Sequence, residues 1–141
     1  MREINKIIVH CSATKPSMEV CAEDIRQWHI GRGWADIGYH YVIKRDGTLE
    51  QGRDMRTAGA HAKGHNARSA GICLIGGVDE EKNADDNFTL KQYNTLIQLI
   101  SFLKMTFPIE DVLGHRDLPG VNKSCPCFDV RAWLKFETEQ G

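Results

Sequence analysis

Residues 70–76 read AGICLIG, a short continuous apolar run with no polar face. A strand that alternates apolar and polar residues can leave one face in water. A run apolar on both faces has to be covered on both sides, as in the parallel strands of α/β folds. A second run, KIIVHCS at 6–12, reads as another strand, with Ile8, His10 and Ser12 on one face and Ile7, Val9 and Cys11 on the other. These strands alternate with helical patterns. Residues 21–31 place Ile25, Trp28 and His29 at helical spacing, and Gly31 and Gly33 end the segment. A long helix is predicted over 90–106, capped by Thr89 with Gln92 three residues on, its apolar stripe being Tyr93, Leu96, Ile97, Ile100 and Leu103. Asp129 caps a last helix with Val130, Trp133 and Leu134 facing inward. Residues 39–45 and 48–51 flank Asp46-Gly47, a hairpin signal. Residues 52–68 and 111–128 read as irregular loops. The expectation is an α/β single domain: a mixed central β-sheet with helices packed on both faces.

Charge excludes some functions. Eighteen basic and nineteen acidic residues leave a net charge of −1, with the signs mixed along the chain. This argues against direct nucleic-acid binding and against an anionic membrane surface. No window reaches the ~18 apolar residues of a membrane span. The opening MREINKIIVHC has too short an apolar run for a signal peptide, so the expectation is synthesis in the cytoplasm. Five cysteines make an odd count, which argues against a disulfide framework. Cys11 and Cys73 sit in apolar runs and read as buried small hydrophobes, leaving Cys125 and Cys127 as candidates for chemistry. Trp28 and Trp133 fall on apolar helix faces and are expected in the core, and His29 is expected to be structural; Trp34 stays open.

No HExxH, GxSxG or P-loop is present. His10 at a strand end, His115 in GHRD and Cys125 in KSCPC are residue types that zinc takes, with three protein ligands leaving a fourth position open in catalytic sites. Two histidines and a cysteine occur in most chains, so residue types alone do not single them out. His40 follows Tyr39 in an extended run, and the two side chains should face opposite sides.

Four ordered motifs carry a resemblance: VHCSAT at 9–14, GYHYVIKRDGTLEQGRD at 38–54, AGAHAKGHN at 58–66 and KSCP at 123–126, with IRQWH at 25–29 in support. Together they resemble the N-acetylmuramoyl-L-alanine amidases, a family that includes small phage lysozymes of the amidase type and the peptidoglycan recognition proteins. The resemblance implies that residues 1–141 form a zinc amidase domain. It implies one Zn²⁺ held by His10, His115 and Cys125, catalytic roles for Tyr39 and Lys123, and a substrate cleft lined by His61, His65 and Asn66. Lys123 would stabilise an oxyanion and Tyr39 would orient water or shuttle a proton. The implied partner is peptidoglycan, cut between the muramic acid lactyl group and L-alanine after release to the cell wall; a monomer is the default expectation. Alternatives on the same scaffold are a non-catalytic peptidoglycan-binding protein, a zinc peptidase cutting elsewhere in the stem, and a protein that regulates a phage RNA polymerase. Cys127 departs from the motif.

Overall fold

The computed structural model describes residues 2–140. Five strands form one mixed sheet: β1 (Lys6–Cys11), β2 (Tyr41–Ile43), β3 (Leu49–Gln51), β4 (Ser69–Leu74) and β5 (Asp111–Gly114). Their order is β3-β2-β4-β1-β5, parallel throughout except for the β2–β3 hairpin. Helices α1 (Ala22–Gly31), α2 (Leu90–Thr106) and α3 (Val130–Gln140) complete it. This is the expected α/β architecture.

The two faces of the sheet sort side chains as alternation requires. Ile7, Val9 and Cys11 of β1, Ile43 of β2, Ile72 and Leu74 of β4 and Val112 of β5 pack under α2 and α3. Val42, Cys73 and Ile75 point to the opposite face, where Ala22 and Ile25 of α1 cover them. Over β1 and β5 that second face is closed by loops: Ile8 and Leu113 meet Ala62 and Leu118. His10 and His115 stand at the C-terminal ends of the parallel strands β1 and β5, where α/β sheets place their sites.

Helix α2 has the predicted bounds. Thr89 Oγ1 accepts the Gln92 amide at 3.1 Å and Gln92 Oε1 accepts the Thr89 amide at 2.9 Å, closing the capping box. Gln92 also donates its side-chain amide to Ile43 O and Ile75 O, tying the helix start to the sheet. The helix is rotated slightly from the expected stripe: Leu99 is buried with Leu96, Ile100 and Leu103, while Tyr93 and Ile97 lie at its edge.

Three other expectations change. Residues 111–114, expected as loop, form the edge strand β5, held by parallel pairing to β1 rather than by any local pattern. The strand expected over 39–45 is shorter, although His40 N still donates to Gly71 O at 2.9 Å. Trp28 is 41% exposed rather than in the core. The buried stripe of α1 runs Ala22–Ile25–His29, which leaves Trp28 at the rim beside Ser12, Arg32 and Tyr39. Trp133 packs as expected, 5.5 Å from Tyr93 and 5.9 Å from Phe128. His29 is buried and accepts the Gly38 amide at 2.9 Å, a structural role, with the Trp34 ring tilted against it at 4.4 Å. All five cysteines are free, with Cys11 and Cys73 buried.

Candidate metal centre and the groove beside it

Three segments distant in sequence meet at the C-terminal end of β1 and β5. His10 is the fifth residue of β1, 2% exposed, on the face opposite Val9 and Cys11. His115 follows directly on β5 and opens a short 3-10 turn, His115–Asp117. Because β1 and β5 are parallel neighbours, the two rings stand side by side, 4.6 Å between centroids. Cys125 comes from the loop before α3. Arg116 N donates to Cys125 O at 2.9 Å and Cys11 N points at its Sγ at 3.1 Å. Gly114 lets the segment approach: a Cβ there would stand 2.8 Å from Pro126 Cδ. The Asp117 carboxylate accepts the Gly114 amide at 2.8 Å and holds the turn.

The donor atoms of His10, His115 and Cys125 all lie within 4.8 Å of one another. Burial holds the His10 imidazole well below its ordinary range, with His61, His115 and Lys123 adding to the effect. Burial and then Lys123 push His115 the same way. Both rings are therefore neutral near pH ~7, the form a metal requires. Two neutral imidazoles and a thiol, with one side open, are a donor set suited to a borderline-soft divalent ion. Cys127 is excluded from this set. Its backbone turns at φ +74°, and its Sγ points to Gly77 O at 3.2 Å.

The Tyr39 ring lies 5.1 Å from that of His10, tilted by 52°, and packs against the cluster that α1 covers. Burial raises its phenol well above the usual range, and the thiols of Cys73, Cys125 and Cys11 add to this, so the hydroxyl keeps its proton. His40 turns away from the donor set: its Nδ1 accepts the Gly71 amide and its Nε2 faces Thr57 O. Lys123 is exposed and, with Lys63, His65, His115, Leu118 and Asn122, lines a groove of about 470 Å³ that contains no acidic side chain.

The loop residues separate. His65 opens on the groove. His61 lies behind His10, its Nδ1 2.8 Å from His10 Nε2. Asn66 Oδ1 is engaged by the amides of His61 and Ala62, both at 2.9 Å. Sequence reading passed over three residues that shape this wall. Ser69 reaches His61 Nε2 at 3.1 Å. Gly71 leaves space for the His61 ring, which a Cβ would approach to 2.6 Å. Arg2 binds the carbonyls of Met55, Asn66, Ala67 and Ser69. Only Gly71 left a signal, since a glycine inside a strand marks a close approach.

A sequence profile of the family described as N-acetylmuramoyl-L-alanine amidase matches residues 1–128. The endolysin of Enterobacteria phage K11 is 45% identical over 134 residues, which span 95% of this chain and 87% of that protein. The endolysin of Escherichia phage T7 is 47% identical over 127 residues, spanning 90% and 83%. Among solved structures, the N-acetylmuramoyl-L-alanine amidase LysC from Clostridium intestinale URNW superposes with a TM-score of 0.84 at 30% identity, over 98% of this chain and 87% of that one. Among the described residues, no helix is long and apolar enough to cross a membrane.

Proposed function

The chain belongs to the N-acetylmuramoyl-L-alanine amidase family, and we propose that it hydrolyses the amide between the muramic acid lactyl group and L-alanine of peptidoglycan, using one zinc ion held by His10, His115 and Cys125. The observation that carries this reading is the convergence of those three donors, from three separate segments, beside a lysine-lined groove.

A zinc ion bound there supplies Lewis acidity toward a carbonyl oxygen and makes water a stronger acid. The chain's own groups do the rest. Lys123 brings its ammonium to the groove wall next to His115, where it stabilises negative charge growing on the carbonyl oxygen. Tyr39 keeps its proton and acts as a hydrogen-bond donor across from His10, orienting the attacking water. Water's oxygen bonds to the carbonyl carbon, the carbon–nitrogen bond breaks, and the proton that the water gives up ends on the departing L-alanine amine. Lys63 and Lys123, with no acid between them, suit a peptide arm that carries carboxylates, and His65 meets that arm. His61 and Asn66 form the wall behind rather than the groove surface. We read the protein as a monomer that meets the cell wall after release from the cell.

Mass spectrometry of purified peptidoglycan after digestion, with metal analysis of the same protein, tests the reading. The expected result is free stem peptides bearing an L-alanine amino terminus and one zinc per chain. Intact peptidoglycan despite bound zinc would replace it with a binding or polymerase-regulating protein on the same scaffold.

A further inference from the structure

The hydrogen bonds behind His10 run in one direction. Ser69 Oγ lies 2.6 Å from His65 O, and a carbonyl can only accept, so the hydroxyl proton points there. Ser69 Oγ must then accept from its other partner, His61 Nε2, at 3.1 Å. With its proton on Nε2, a neutral His61 ring presents a lone pair at Nδ1. That lone pair faces His10 Nε2 at 2.8 Å, so His10 Nε2 is the donor and His10 Nδ1 is left with the free lone pair.

The ring that sets this order is held from every side. A Cβ on Gly71 would stand 2.6 Å from His61 Cγ, and one on Gly59 would stand 2.7 Å from His61 Cδ2. The imidazole fills the space that these two glycines leave. Asn66 Oδ1 fixes the backbone at His61 and Ala62. The Arg2 guanidinium gathers Asn66 O, Ala67 O and Ser69 O, closing the turn from the N-terminal side.

We infer that His61 is a positioning residue for the metal centre, fixing the tautomer and ring orientation of His10 so that Nδ1 is the donor offered beside His115 and Cys125. This rests on the metal reading above. Outer hydrogen bonds of this kind are worth roughly 10–100-fold in metal affinity.

Two measurements on the full chain test it: zinc affinity by competition with a chromophoric chelator, and the ring nitrogen chemical shifts of His10 in metal-stripped protein. The wild type should give the Nε2–H tautomer of His10. His61→Ala should bind zinc roughly 10–100-fold more weakly and leave His10 as a mixture of tautomers. His61→Asn, whose Oδ1 falls near the place of Nδ1, should recover most of the affinity. Ser69→Ala should fall between His61→Ala and the wild type. A folded His61→Ala that binds zinc as tightly as the wild type overturns the inference. So does a wild-type His10 with its proton on Nδ1, which needs no variant to fold. A wild type that takes up no zinc overturns this inference and the metal reading together; tight wild-type binding with an indifferent His61→Ala overturns this one alone.

Discussion

The backbone amide of Cys11 points at the sulfur of Cys125 at 3.1 Å, although the two residues are 114 positions apart. Cys11 ends β1, immediately after His10, so the strand that delivers one donor of the candidate centre also orients another. The amide holds the sulfur in place while the ring nitrogens of His10 and His115 lie within 4.8 Å of it. An outer contact that aims a ligand in this way is common around metal sites.

Cys125 and Cys127 should therefore separate cleanly. Cys125→Ser is expected to lose zinc and peptide release together. Cys127→Ser, at a side chain that faces Gly77 O and Cys11 rather than the donor set, should keep both. Metal content and release rate, measured on the same preparations, decide it. Full zinc occupancy in Cys125→Ser would remove the cysteine from the centre.

Lys123→Ala should act on rate and not on metal. The side chain is exposed on the groove wall, so truncation costs the fold little. Loss of an oxyanion donor is expected to lower kcat by roughly 10²–10³. Unchanged kcat with a raised KM would make Lys123 a substrate contact instead. Loss of zinc would show that it supports the centre.

What was legible in the sequence was what is local. Thr89 and Gln92 lie three residues apart and mark the start of α2 by themselves. The alternation in KIIVHCS put His10 on the face opposite Val9 and Cys11, where it is found. Strand β5 was not legible. Val112 and Leu113 are only two apolar residues, and they become a strand by pairing with β1, about a hundred residues earlier. Trp28 was misplaced because α1 buries only a narrow stripe, Ala22–Ile25–His29. The three candidate ligands emerged from motif resemblance, since their meeting depends on the parallel placement of β1 and β5. The Ser69–His61–His10 chain was hidden for the same reason: its members come from a loop and two strands.

Gly114→Ala tests how closely the Cys125 segment must dock. Gly114 has φ −86°, which alanine adopts freely, so any effect is steric. The new methyl would stand 2.8 Å from Pro126 Cδ and 3.3 Å from Asp117 Oδ2, and the neighbouring Cys125 would have to move with Pro126. Overpacking of this kind costs about 1–3 kcal/mol. Zinc affinity should fall roughly tenfold or more, because ligand distances tolerate only ~0.2 Å. Urea denaturation of the metal-free protein and chelator competition read the two effects separately. Wild-type values in both would show that the loop yields at no cost.

The metal-free protein should lose stability as pH falls below the ordinary histidine range. His40 is fully buried, and that burial is the main cause holding its imidazole down, to about 4 from 6.5. The Thr57 carbonyl opposes the shift, and the Arg2 guanidinium, 2.9 Å from Nε2, adds to it. An unfolded chain takes up this proton near 6.5, while the folded one refuses it until about 4. The folded state is therefore at full advantage above 6.5, loses ground between 6.5 and 4, and loses no more through His40 below that. The cost reaches about 2 kcal/mol from His40 alone at pH ~5. His10, held down by the same burial, contributes with the same sign. Urea midpoints measured at pH ~7.5 and ~5 without metal should move to lower denaturant at the acid end. A midpoint that stays level or rises would mean that the fold accepts a proton at these rings, and the neutral His40 bonded to both Gly71 and Thr57 would have to be given up.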